Sequence, residues 1–233
     1  MENKLNRIIS RSKVVVSFFC LFTFLPFSAS AQIGEHRSNF SIGINGGYVL
    51  SNVGFTPSVT QGWHGGFTGG MSLRYVCEKY FSTICSVAAE VNYASIGWKE
   101  DIKTALDGAV IGDQGAAEEY ERTVNYVQVP VFAHLAWGRE NRGFNVFFNI
   151  GQQFGLYLSD KIKKNYTEPN ISADTGRGNT ITVQETMPIE KKFDYGIAGG
   201  LGTEYSHPRL GHFLVEARYY YGLGNIFGNS KRD

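Results

Sequence analysis

The 233-residue chain contains no apolar run of 18 or more residues after its first thirty, which rules out a later transmembrane helix. It has only three cysteines, and its five histidines are dispersed at 36, 64, 134, 207 and 212. No His/Cys cluster has metal-ligand spacing, so no metal site is expected. No Gly-x-Ser-x-Gly occurs to mark a hydrolase nucleophile. The run Gly199-Gly200-Leu201-Gly202 lacks the following helix that a phosphate-binding loop requires. No catalytic or cofactor-binding residues are therefore expected. Nor is there an excess of one charge, since 22 basic residues stand against 21 acidic ones. That balance gives no electrostatic reason to expect a nucleic-acid partner.

What is present begins with an export signal. Lys4, Arg7, Arg11 and Lys13 precede an apolar run from Val14 to Phe27, and Ala29-Ser30-Ala31 supplies the small residues of a cleavage site. Residues 1–31 are read as a signal peptide, with Gln32 as the first mature residue and 32–233 as one domain. Bulky Phe19 before Cys20 argues against lipid attachment. Cleavage takes four of the 22 basic residues and one of the 21 acidic ones, leaving a net charge of −2. The 28 glycines are about twice the usual share, but the abundant aromatic and β-branched residues suit a compact β protein rather than disorder.

The stretch Phe144 to Leu158 sets the pattern. Phe144, Val146, Phe148, Ile150, Phe154, Leu156 and Leu158 alternate with Asn145, Phe147, Asn149, Gly151, Gln153, Gly155 and Tyr157, and only Gln152 interrupts the apolar set. Successive strand side chains point to opposite faces, so one face is apolar and the other polar or small. The run exceeds the about 9–11 residues that a tilted strand needs to cross a bilayer. Similar strands are predicted at about 39–50, 64–76, 86–93, 121–137, 191–205 and 213–223. Their connections alternate long (51–63, 99–120, 159–190) and short, as in membrane barrels with short periplasmic turns and long extracellular loops. A helical turn is expected near Asp101 to Leu106. Trp63, Trp98, Trp137, Tyr93, Tyr157 and Tyr205, near strand ends, suit interfacial girdles.

The predicted fold class is all-β: an antiparallel up-and-down transmembrane β-barrel of eight-stranded type, with seven strands identifiable. Because such barrels use even strand numbers, an eighth strand is expected to be encoded beyond Asp233. An interior of this size is just wide enough for side chains. The predicted inward face carries a polar network of Arg74, Glu90, His134, Asp194, Glu204, Glu216 and Arg218, with Gly196, Gly200 and Gly202 making room. Arg74 and Glu90 are expected to pair, being two residues off direct opposition. Cys77 and Cys85 flank a short turn, and either a disulfide or two separate thiols fits that spacing.

Tyr126-Val-Gln-Val-Pro-Val131, Asp194-Tyr-Gly-Ile-Ala-Gly-Gly-Leu-Gly-Thr-Glu-Tyr205 and Glu216-Ala-Arg-Tyr-Tyr-Tyr-Gly-Leu-Gly-Asn-Ile226 resemble the small PorT-like outer-membrane β-barrels of Bacteroidetes. The resemblance covers the chain from about residue 38. It implies an outer-membrane location and a link to the secretion of surface proteins. The expected function is a non-enzymatic outer-membrane barrel with a filled polar lumen. Its partners would be membrane lipid and, through the long loops, surface or secretion-system proteins. The alternatives are a lipid-modifying enzyme and a narrow conduit. A lipocalin-like carrier would need an apolar interior and a polar exterior, the reverse of this pattern.

Overall fold

The computed structural model describes residues 35–55, 59–139, 142–172, 174–180 and 182–227; the predicted signal peptide and Gln32 lie outside them. The strands are β1 (Glu35–Ser51), β2 (Gln61–Gly62), β3 (His64–Tyr80), β4 (Thr83–Glu100), β5 (Tyr120–Gly138), β6 (Gly143–Lys164), β7 (Phe193–His207) and β8 (Gly211–Gly222). One helical turn, α1 (Val183–Thr186), lies between β6 and β7. The sheet order is β1-β3-β4-β5-β6-β7-β8, every pairing antiparallel, with the short β2 added to β4. This is the predicted up-and-down barrel sheet, with seven long strands; among the described residues no pairing joins β1 to β8.

Period-2 sequence becomes two faces. On β6, Asn145, Phe147, Asn149, Gln153 and Gly155 are buried, while Phe144, Val146, Ile150, Leu156 and Leu158 are exposed. The same alternation runs through β7, where Asp194, Gly196, Ala198, Gly200 and Glu204 are inside and Phe193, Tyr195, Ile197, Leu201 and Tyr205 outside. Exposed apolar side chains in such contiguous rows would be untenable in water and are the natural surface toward lipid. Phe144, Tyr205 and Phe213 neighbour one another at the short-turn end, and Tyr48 and Phe67 pack edge-on at the long-loop end.

Several expectations are corrected. The strands run further than predicted: β6 has 22 residues and continues six past Leu158 into the stretch read as loop. No helical turn forms at 101–106. There Thr104 Oγ1 accepts from the Gly108 amide, Asp107 takes a left-handed φ of 60°, and bridges Lys103↔Ala109 and Ile111↔Ala117 build small hairpins. Side chain–backbone bonds of Thr and Asp favour turns in this way. Trp98 is not a girdle residue, because on the inward face of β4 it is fully buried. Cys77 and Cys85 are both free thiols. The β3–β4 register shifts between Val76 and Glu78, so Cys77 occupies the irregularity and Glu78 stands opposite Cys85. Pro130 sits opposite Gln153 without breaking the β5–β6 register.

Candidate functional site

The sheet curls far enough to bring distant strands together through its interior. At the short-turn end, Arg74 of β3 donates two bonds to Glu204 of β7, at 2.7 and 3.1 Å. Glu204 also meets His212 Nδ1 at 2.5 Å, and His134 Nε2 lies 3.8 Å away. His134 is oriented by Asn149, 2.7 Å from its Nδ1, and packs against the Phe147 ring at 4.8 Å. One layer higher, Arg218 of β8 reaches Glu90 of β4 at 2.8 and 2.9 Å and Glu216 at 2.8 Å, with its guanidinium 4.5 Å from the centre of the Phe132 ring. Asn92 donates to Glu90 at 2.7 Å. Above these, Tyr220 donates to Asp194 at 2.8 Å.

Arg74, Glu90, His134, Asp194, Glu204, Glu216 and Arg218 share the concave face of the sheet, but in three separate contact groups, Asp194 being bonded to Tyr220, and the predicted partners change. Arg74 stands opposite Ala88, two residues from Glu90 as expected, yet it pairs with Glu204 while Glu90 pairs with Arg218. Both carboxylates are drawn across the lumen by bidentate guanidinium geometry that a same-hairpin diagonal does not offer. His212, Asn149, Asn92 and Tyr220 were missed. His212 shares the even-numbered face of β8 with Glu216 and Arg218, so its inward direction was legible by parity.

The glycines of β7 are spaces in this packing. A Cβ on Gly200 would fall 2.1 Å from Glu216 Oε1. The space lined by Arg74, His134, Glu204 and His212 is about 40 Å³, enough for a water or two and not for a solute.

Ser206, His212 and Glu204 are the residue types of a hydrolytic triad and converge, but they are wired otherwise. Ser206 Oγ lies 2.9 Å from His212 Nδ1, and Glu204 Oε1 contacts that same nitrogen. A triad needs the serine on one ring nitrogen and the acid on the other.

At the long-loop end β4, β5 and β6 extend past the apolar rows and, with the loops, form an outer cap. Its apolar centre is Trp98, Tyr120, Val124, Tyr126, Tyr166 and Phe227. Arg122 pairs with Asp160 at 2.7 Å, donates to the Met187 carbonyl and lies 5.5 Å from the centre of the Trp98 ring. Arg177 bonds Glu118 at 2.6 Å and also pairs with Glu185, which accepts from Tyr166 at 2.6 Å. Gln184 of α1 donates to Glu100 at 3.2 Å. Burial pushes the Glu100 carboxyl up to about 7 despite that hydrogen bond. Burial and the bond to Glu185 push the Tyr166 hydroxyl up as well. Trp98, Glu100, Tyr120, Arg122, Val124, Tyr126 and Asp160 of this cluster lie on β4, β5 and β6, whereas Glu118, Tyr166, Arg177 and Phe227 lie on irregular segments and Gln184 and Glu185 on α1, where no strand period could place them. Among the described residues no group of three or more His, Cys, Asp or Glu could hold a metal.

An antiparallel sheet of membrane-length strands, apolar on its outer face and carrying charged pairs on its inner one, is the fold class of integral β-barrel membrane proteins. The family model described as outer membrane protein beta-barrel domain matches residues 30–228, and the chain belongs to that family. No curated protein and no solved structure matches it. Its location is thus the outer membrane.

Proposed function

We propose that this protein is a non-enzymatic, non-conducting barrel that presents a folded loop cap at the cell surface. Residues 1–31 would direct its export, residues 32–233 would form the single domain, and the long loops would face outward with the short turns in the periplasm. The observation that carries this reading is the lumen itself, crossed at two heights by Arg74–Glu204 and Arg218–Glu90. Arg74–Glu204 is largely enclosed and Arg218–Glu90 partly exposed, and pairs of this kind narrow the interior, so opening them would leave charge without its partner. The cap supports an interaction role, since it is a built surface with its own core rather than a set of loose connections. The resemblance to PorT-like barrels of Bacteroidetes suggests a surface or secretion-system protein as the partner.

Planar-bilayer recording of the heat-modifiable protein tests the central claim, with no stepwise conductance expected. Regular single-channel steps that grow on Arg74→Ala would establish the conduit reading instead. Cysteine labelling at Asp113 in whole cells tests the orientation, and N-terminal sequencing should find Gln32. The lipid-modifying alternative predicts altered lipid A when the protein is absent; the shared ring nitrogen at His212 argues against it.

A further inference from the structure

A one-residue irregularity in β6 re-aims a row of lysines. Odd-numbered residues of β6 face the lumen up to Tyr157, which stands opposite Tyr126; the next pair is Asn125 with Ser159, so Leu158 is extra. An inserted residue exchanges the two faces of everything beyond it. Asp160 consequently turns in, where it meets Arg122 at 2.7 Å, and Lys161 and Lys163 turn out. Lys161 stands beside Thr123 and Lys163 beside Glu121, whose other neighbour is Lys99. Glu121 is itself engaged by His64 at 3.0 Å. Among the described residues no ion pair holds Lys161 or Lys163, and both are exposed.

Their height matters. Leu156 and Leu158, each 52% exposed, end the apolar row below them. Three residues at about 3.3 Å each along a strand tilted by about 40° place Lys161 about 7–8 Å above Leu158. The polar layer beyond the hydrocarbon is about 5–8 Å deep on each side. Lys161 therefore sits at the depth of lipid headgroups, and Lys163, about 5 Å higher at the next outward position, has a stem long enough to reach down to them.

We infer that Lys161 and Lys163 form a docking site for the phosphate groups of a lipid in the surrounding leaflet. The bulge at Leu158 is what creates it: without the extra residue both ammonium groups would point into the cap and Asp160 would point at lipid. The inference rests on the proposed orientation only for which leaflet supplies the lipid. Failed surface labelling at Asp113 would overturn that orientation and leave the lysine site intact.

The test uses the folded, heat-modifiable protein in a zwitterionic detergent, with bound lipid read by native mass spectrometry. The probes are diphosphoryl lipid A, the same lipid dephosphorylated, and pyrophosphate. The phosphorylated lipid should bind well above the dephosphorylated one. Lys161→Gln/Lys163→Gln should weaken its binding about 30-fold, and Lys161→Arg/Lys163→Arg should retain it. Arg139→Gln/Arg142→Gln, which removes the same charge at the opposite end, should leave it unchanged. Equal binding of the dephosphorylated lipid, an unaffected Lys161→Gln/Lys163→Gln protein, or an equal loss in the arginine variant would overturn the inference. Displacement of the lipid by equimolar pyrophosphate would also overturn it, showing a site for free anions.

Discussion

The lumen and the cap each hold an arginine against a buried carboxylate, but they do so by different means. In the lumen, Arg74 and Glu204 are 130 residues apart and meet because β3 and β7 are bent toward each other through the barrel interior. The partners are placed by strands whose own hydrogen bonds do not depend on the pair. In the cap, Arg177 lies 8 residues from Glu185 and 59 from Glu118, and the pairs themselves are among the few contacts that fix the segment. Arg74 has an exposed fringe and shares Glu204 with His212; Arg177 and Glu118 are almost wholly enclosed. A lumen pair is therefore supported by the fold, whereas a cap pair supports the fold.

The largest effect should follow from breaking the cap. Arg177→Ala leaves Glu118 and Glu185 buried without a cation, which costs about 3–5 kcal/mol. The loop at 165–192 should become susceptible to limited proteolysis while the heat-modifiable barrel band persists. Arg74→Ala should cost less, because His212 still contacts Glu204. If Arg74→Ala unfolds the protein more readily than Arg177→Ala, the contrast between the two networks is wrong.

Within the lumen, two glycines separate what the backbone enforces from what side chains tolerate. A Cβ on Gly151 would lie 1.9 Å from the Val131 carbonyl oxygen, and that backbone is fixed by the β5–β6 pairing. Gly151→Ala should destabilise by about 2–3 kcal/mol in a urea titration. At Gly200 the obstruction is the tip of Glu216, which can swing away while Glu90 still holds Arg218. Gly200→Ala should cost only about 1 kcal/mol.

The strand faces were legible because a period of two is written into β3 to β8, and it assigned Arg74, Glu90, His134, Asp194, Glu204, Glu216 and Arg218 to one face. Their partners were not, since pairing across the interior depends on how far the sheet curls, which no local pattern encodes. The Leu158 bulge was equally hidden: Ser159, Asp160 and Lys161 read as a polar loop when the faces have in fact exchanged. Trp98 was misplaced for a related reason. An aromatic near a strand end suits an interfacial girdle, but β4 continues to Glu100, and the parity of position 98 turns the ring inward.

Titration offers a narrower test of the cap. Glu100 lies beyond the apolar rows, and its carboxyl is raised from 4.5 to about 7 chiefly by burial. The neutral form is thus favoured in the folded cap. Its contribution is fully present below about pH 4.5, where the unfolded chain is protonated too, and is lost as pH rises toward 7. Protease resistance of the loops should fall across that window, and Glu100→Gln should flatten the dependence. A variant that keeps the full pH dependence would assign it to another group.

A small effect, that of Gln152→Leu, falls on the outer face. Gln152 interrupts the apolar row of β6, and a slip of register near Gly151 would have hidden it inside. There is no slip: Gln152 pairs with Val131 on one side and Ile197 on the other in an unbroken register, and it is exposed. Its neighbour Gln153 is buried in the lumen, so two identical side chains one residue apart meet opposite surroundings. Facing lipid, the Gln152 amide has no partner among the described residues, and Gln152→Leu should stabilise the folded protein by about 1 kcal/mol in urea unfolding from vesicles. Gln153→Leu should do the reverse, because it places an apolar group in a polar interior. Gln152→Arg should cost about 2–4 kcal/mol if the position lies near the bilayer midplane, and less toward either interface. Opposite signs for the two leucine variants would fix which face of β6 meets lipid; equal signs would mean that the face taken for the lumen is no more polar in its surroundings than the face taken for lipid.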